Sequence, residues 1–225
     1  MKIVLLAVLI LIGVDLGRAQ NNSGLTGPTV VTSTDGRKFM LYPDGTWSVI
    51  SAAESSTTST PSPPLQGPGG NIRPSDATFL FKAPKGNFGV WMNPDKWKQA
   101  GPTDESSIKT LFNHKSGDLY AMVIAERVSL TLNALKNAAI SNAKRVAPDL
   151  KVELEEPRQV NGKPVLLMKM TGTVQGSPFV YYGYYYGGKE GSLQVVTYTS
   201  TNLFDDYKKD MQEFLDGTQI GSGQQ

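Results

Sequence analysis

The 225-residue sequence contains no cysteine and a single histidine, and its 22 basic and 20 acidic residues leave a net charge of only +2. Without cysteine there are no disulfide staples, no thiolate nucleophile, no Cys-ligated zinc and no iron–sulfur cluster. One histidine rules out a histidine-rich metal site. A near-neutral balance without a clustered basic surface gives no reason to expect nucleic acid. Long apolar runs are also missing. The longest, Ile3 to Val14, spans only about 18 Å as helix against a bilayer core of about 30 Å. What is present is an ordinary globular proportion of hydrophobic residues, 39%, with 23 Gly and 14 Pro, so the chain folds but part of it is irregular.

That first apolar run follows Lys2, and the small residues Gly17 and Ala19 occupy the −3 and −1 positions before Gln20. This pattern predicts a secretory signal peptide over residues 1–19, and hence an extracytoplasmic (periplasmic or secreted) protein with no transmembrane span in its mature chain. Residues 20–50 contain Asp35-Gly36 and Asp44-Gly45 between β-prone runs. Asp-Gly favours tight hairpin turns, so a small β-meander is expected, with strands at Val30–Thr32, Lys38–Tyr42 and Trp47–Ile50. Residues 51–75 are almost entirely Ser, Thr, Pro, Gly, Asn and Gln, a composition that buries too little apolar surface to order itself and reads as a linker. Residues 76–220 form the main domain, and 221–225 a tail.

Within the main domain, Phe79–Lys82 and Phe88–Met92 read as short strands, with Pro94 and Trp97 in the connection after them. Ile108–Asn113 and Leu119–Glu126 read as a hairpin turning at Lys115–Asp118. Leu132, Leu135, Ala139, Ala143 and Val146 recur at helical spacing, with Thr131 as N-cap and Pro148 as the stop. Lys151–Val160 is charged and alternating, an edge strand. Asn161-Gly162 leads into Val165–Val174, Gln175–Pro178 turns into Phe179–Tyr186, and a further turn leads into Leu193–Thr199. The last helix carries Phe204, Tyr207, Met211 and Phe214 on one face, with Asn202 as N-cap and Gly217 as stop. Short turns force antiparallel pairing, and both helices must cover the sheet. The expected fold class is α+β.

With W-x-N-P-x-x-W from Trp91 to Trp97, V-N-G-K-P from Val160 to Pro164 and T-x-x-x-x-F-x-x-Y-x-x-x-M-x-x-F-L-x-G from Thr199 to Gly217, this order of elements resembles the PsbP-like superfamily. The resemblance implies an antiparallel sheet between helical layers. It supplies no catalytic motif, and it implies proteins that bind or assemble other proteins. The N-terminal spacing is similar to a short DGR…L…DGTW element of exported bacterial proteins, which implies no chemistry.

Candidate chemistry is sparse. His114, placed at a turn tip, is a poor general base, and no G-x-S-x-G elbow accompanies it. Glu153 and Glu155 share one face of a strand, with Glu156 on the other. A glycosidase would need two carboxylates flanking a cleft, whereas like charges along an edge strand serve as solvated protection against aggregation. Neither Asp-Gly turn supplies the alternating ligands of a calcium loop, and no phosphate-cradling loop precedes a helix. The most unusual stretch is Phe179-Val-Tyr-Tyr-Gly-Tyr-Tyr-Tyr186. Alternation puts Phe179, Tyr181, Gly183 and Tyr185 on one face and Val180, Tyr182, Tyr184 and Tyr186 on the other. Tyr182, Tyr184 and Tyr186 are the candidate partner-binding residues if their three hydroxyls mark the wetter face; the alternative is a central strand of a two-sided sandwich, with both faces covered by helices and each hydroxyl reaching the rim. The expectation is thus a non-enzymatic binding or accessory protein without a cofactor, whose partner is an envelope protein or another extracytoplasmic molecule. A carboxylate-dependent hydrolase of envelope polymer and a structural protein anchored through the meander are the alternatives.

Overall fold

The computed structural model describes the backbone of residues 29–32, 38–41 and 47–49, and residues 73–100 and 108–221 in full. The expected signal peptide, the two Asp-Gly turns and most of the expected linker lie outside the described residues. The chain divides into two units. One holds strands β1 (Thr29–Thr32), β2 (Lys38–Leu41) and β3 (Trp47–Val49), paired antiparallel in that order. These are the three strands expected of the meander.

In the other unit the first described residues, 73–75, already make contacts. Arg73, Pro74 and Ser75 read as the end of the linker, yet the Pro74 carbonyl accepts from Ala77 N–H at 3.1 Å. Arg73 also sets its guanidinium 3.8 Å over the Trp91 ring. Then come β4 (Phe79–Lys82), β5 (Phe88–Met92), β6 (Trp97–Ala100), β7 (Lys109–His114), β8 (Leu119–Glu126) and α1 (Leu132–Val146). Next are β9 (Lys151–Val160), β10 (Lys163–Val174), β11 (Ser177–Gly188), β12 (Gly191–Ser200), α2 (Phe204–Asp216) and β13 (Thr218–Ile220). A large antiparallel sheet runs β6-β7-β8-β12-β11-β10-β9, and a small one runs β13-β5-β4. The fold class is α+β, as expected. β6 and β13 were not legible: each is only three or four residues long and takes its shape from its partners, Trp97 lying opposite His114 and Thr218 opposite Val90.

Local chemistry explains the hairpins. β9–β10 and β10–β11 are joined by two-residue turns in which Asn161 and Gly162, and Gln175 and Gly176, all have positive φ. Such turns match the twist of the flanking strands. α1 starts where the Thr131 hydroxyl accepts from Ala134 N–H at 3.2 Å, and it buries Leu135, Ala139 and Ala143. α2 departs from expectation at its start. A 3-10 turn over Thr201–Leu203 intervenes, so Asn202 lies inside it and Leu203 precedes the helix without a side-chain cap. Asp205 and Asp206 in the first turn still complement the helix dipole.

The two helices lie on opposite faces of the large sheet. Against α1 pack Met122, Ile124, Leu166, Met168, Met170, Phe179, Tyr181, Tyr185, Val196 and Tyr198. Against α2 and the small sheet pack Phe112, Leu119, Val123, Val165, Leu167, Tyr182, Tyr184, Tyr186, Leu193 and Val195. A sheet covered on both faces reads as near-continuous apolar strands rather than alternating ones, and β11 and β12 are buried almost throughout.

Candidate functional site

The register sets the tyrosine row. Tyr185 pairs with Leu166, Gly183 with Met168 and Tyr181 with Met170, so these residues share the α1 face; Tyr184 pairs with Leu167 and turns toward α2. Tyr182, Tyr184 and Tyr186 are only 5%, 4% and 6% exposed. The expected wet face is therefore covered, and these side chains are not available as a partner-binding surface. The reason lies in α2, whose Gln212 and Asp216 are four residues apart and so occupy one stripe. The Tyr182 hydroxyl donates to Gln212 Oε1 at 2.8 Å and the Tyr184 hydroxyl to Asp216 Oδ1 at 3.0 Å. Gln212 Nε2 donates to both the Tyr184 hydroxyl and Asp216 Oδ1, at 2.8 and 2.6 Å. Tyr186 donates to Glu190, which also accepts from Lys163 at 2.8 Å.

Electrostatics follow from this burial. Burial first, and the neighbouring Asp216 second, push the Tyr184 hydroxyl far above its ordinary range. Burial also raises the Asp216 carboxyl, and mainly burial pushes Tyr186 up to about 12. Lys163 and Tyr186 hold Glu190 down at about 2. The Tyr182 and Tyr184 hydroxyls fasten β11 to α2, and the Tyr186 hydroxyl is held by Glu190 in the turn that follows β11.

The carboxylates of β9 are also engaged. A register shift between Lys169 and Met170 turns Glu153 to the α2 side, where it accepts from Thr171 at 2.8 Å and meets Lys169 at 2.9 Å. Glu155 stays on the α1 side and pairs with Lys136 at 2.7 Å. Contrary to expectation, the two do not share a face, because a bulge inserts one residue and so breaks the two-residue alternation. Glu156 pairs with Arg158. Among the described residues no group of three or more His, Asp and Glu side chains is placed to hold a metal ion.

His114 corrects a second expectation. It ends β7 and is 7% exposed, not a loop residue. Its ring meets Trp97 edge-on with centroids 5.0 Å apart and Tyr207 at 6.0 Å. Nδ1 lies 2.9 Å from the Ser116 hydroxyl and 3.3 Å from the Ser116 backbone nitrogen, and Nε2 is buried without a partner. Beside it Lys96 reaches Asp210 at 2.9 Å and Glu213 at 2.6 Å, tying the start of β6 to α2. Burial, with Lys96 and Lys115 adding and Asp210 opposing, lowers the His114 pKa below its ordinary value of 6.5. As pH falls below 6.5 the unfolded chain takes this proton before the folded one does, so stability drops until the pH reaches the folded value. His114→Phe is expected to flatten that part of the curve when urea midpoints are compared between pH 7.5 and 5. A variant curve parallel to wild type would refute this assignment.

Two large hydrophobic side chains are exposed among the described residues, Phe79 on the small sheet and Val152 on β9. Phe79 is 50% exposed. Leu80 and Trp91 are cross-strand partners on the sheet's outer face, both half-buried. Arg73 stacks over the Trp91 ring, while Lys82 is exposed. The W-x-N-P-x-x-W segment now has a structural account. Trp91 faces outward and Trp97 is buried. Between them the Asn93 carbonyl accepts from Lys96 and Trp97 N–H, at 3.1 and 3.0 Å, and aims Lys96 at α2. Sequence reasoning missed this surface, although Trp91 had been picked out by the motif. The only cue was a tryptophan on a strand too short to show its register.

No protein-family model matches the chain, and no curated protein matches it. Among solved structures it is similar to cyanobacterial PsbP from Synechocystis, at 11% identity and a TM-score of 0.48, covering 70% of this chain and 99% of that one. It is also similar to a protein of unknown function from Pseudomonas aeruginosa, described as a putative regulator, at 10% identity and a TM-score of 0.37, covering 83% and 92%. LpqN, involved in cell envelope biogenesis of Mycobacterium tuberculosis, matches at 9% identity and a TM-score of 0.37, covering 61% and 84%. None of these likenesses transfers a site, a partner or a function to this chain.

Proposed function

We propose that the chain is an exported, non-enzymatic binding or accessory protein of the cell envelope, which docks its partner through the Phe79–Leu80–Trp91–Arg73 surface. An arginine-stacked tryptophan beside Leu80 on the outer face of the small sheet, with the half-exposed Phe79 at the start of the same edge strand, carries this reading. Aromatic residues and arginine dominate binding hot spots, and an Arg already stacked on Trp presents a rigid amphipathic plate. The absence of chemistry in this reading is supported by how the titratable groups are used. The Tyr182, Tyr184 and Tyr186 hydroxyls and the β9 carboxylates are bonded internally, and the sole imidazole is packed between Trp97 and Tyr207.

Two measurements test it. If Gly17 and Ala19 mark the processing site, protein recovered from its host begins at Gln20, as read by intact mass; a species retaining Met1 contradicts export by this route. Formaldehyde cross-linking of host cells should yield discrete adducts of this chain that disappear in the Phe79→Ser, Trp91→Ala variant and persist in Tyr184→Phe. Adducts unchanged in the double variant would exclude this surface.

A further inference from the structure

Among the described residues β4 pairs on one side only, with β5. Ala83 N–H donates to the Phe88 carbonyl at 2.9 Å, and in an antiparallel pair such bonded positions alternate. With Phe81 opposite Val90 and Phe79 opposite Met92, the backbone groups of Leu80 and Lys82 point away from β5. Nothing within β4 itself twists or interrupts this edge: the strand has no proline and no register shift. Two other edges are managed. β9 carries Pro157, a bulge and a row of ion-paired carboxylates, devices that discourage edge pairing. The three-residue β13 has its Thr218 carbonyl taken by the Asn161 amide at 2.7 Å.

Charge says what would fit. Lys82 is exposed and Lys85 half-buried near the end of β4, and Arg73 lies across the same face. The nearby Asp76 is already bonded to Asn93 at 2.9 Å. We propose that β4 is a strand-addition site for an extended, acidic segment of a partner protein, running antiparallel to it. This rests on the docking surface argued above and names the chemistry of its occupant. Leu80 and Lys82 share the outer face of the strand, two residues apart. An antiparallel partner therefore presents an acidic residue to Lys82, then a residue opposite Phe81, then an aliphatic one beside Leu80 and Trp91. Its next side chain covers the half-exposed Phe79 ring. Backbone bonds at Leu80 and Lys82 would supply affinity, and the acidic–x–aliphatic pattern specificity.

The test uses the mature protein and a fluorescein-labelled peptide with Glu, Val, Val and Phe in succession at its centre and threonines at both ends. Fluorescence anisotropy should show saturable binding below about 1 mM. N-methylation of the Val facing Leu80 should weaken binding at least about tenfold, and N-methylation of the Val facing Phe81 less than about twofold, because only the first removes a bonding N–H. Changing the peptide's Glu to Lys should abolish binding, and Lys82→Glu should restore it. No saturable binding at that concentration, or equal losses from the two N-methyl peptides, overturns strand addition. If the peptide fails but a cross-linker placed at Phe79 still captures a partner, the docking surface stands and only its mode is wrong. If both fail, the surface falls with it.

Discussion

Tyr184→Ala is expected to reduce the free energy of unfolding by about 4 kcal/mol, within the range for buried aromatic truncations, rather than the ordinary ~1 kcal/mol of a surface change. The side chain is 4% exposed, and its hydroxyl both donates to Asp216 and accepts from Gln212. Truncation therefore opens a cavity and also strips Asp216, itself raised by burial, of a donor. Tyr184→Phe separates the two effects. It keeps the packing and loses only the hydroxyl's bonds, for about 1–2 kcal/mol. Urea unfolding reads both, provided the slope is unchanged. A loss below about 2 kcal/mol for Tyr184→Ala would contradict the burial of the row.

Gly217→Ala should cost about 3 kcal/mol, the upper end for overpacking, although its backbone gives no warning. The residue has φ −71° and ψ −5°, a conformation in which Gly→Ala ordinarily stabilises by about 0.4–1 kcal/mol. The obstacle is contact. A Cβ there would lie 1.9 Å from the Trp91 carbonyl oxygen, a backbone atom that cannot step aside. The same approach lets Trp91 N–H donate to the Gly217 carbonyl at 2.8 Å, which starts the β13–β5 pairing. In a thermal scan the variant should melt roughly 6–12 °C lower, by the entropy expected for a domain of this size. An unchanged or higher midpoint would show that α2 does not press on β5 in this way. Gly217 was legible as the end of α2 but not for its reason, since the oxygen that excludes a side chain belongs to a strand 126 positions earlier.

That pattern extends to the rest of the chain. Elements with their own signature were readable: α1 from its apolar spacing and Thr131, β9 from its charge, the β9–β10 turn from Asn161-Gly162. Elements created by partners were not, as β6 and β13 show. Parity on β11 was readable too, with Tyr182, Tyr184 and Tyr186 on one face and Tyr181 and Tyr185 on the other. Whether either face was wet was not, because three hydroxyls are equally suited to water or to a helix bearing Gln212 and Asp216. Neither face is wet, since Tyr181 and Tyr185 are as buried as Tyr182, Tyr184 and Tyr186, and a polar atom on an aromatic ring does not require exposure once a partner is built in. His114 failed for the same reason. Its neighbours Asn113 and Lys115 are polar, yet Trp97 and Tyr207 close over it.

The exposed surface follows from what the buried one consumes. With Tyr182 and Tyr184 bonded to α2, the most exposed aromatic side chain among the described residues is Phe79, on the edge strand that also carries Leu80 against the half-buried Trp91. The direct measurement is photo-cross-linking in the host, with benzoylphenylalanine replacing Phe79 in one strain and Lys144, exposed on α1 against the opposite face of the large sheet, in another. A discrete adduct from position 79 and none from position 144 is the result this account predicts. An adduct from position 144 alone, or none from position 79 while the protein is exported and folded, would contradict it.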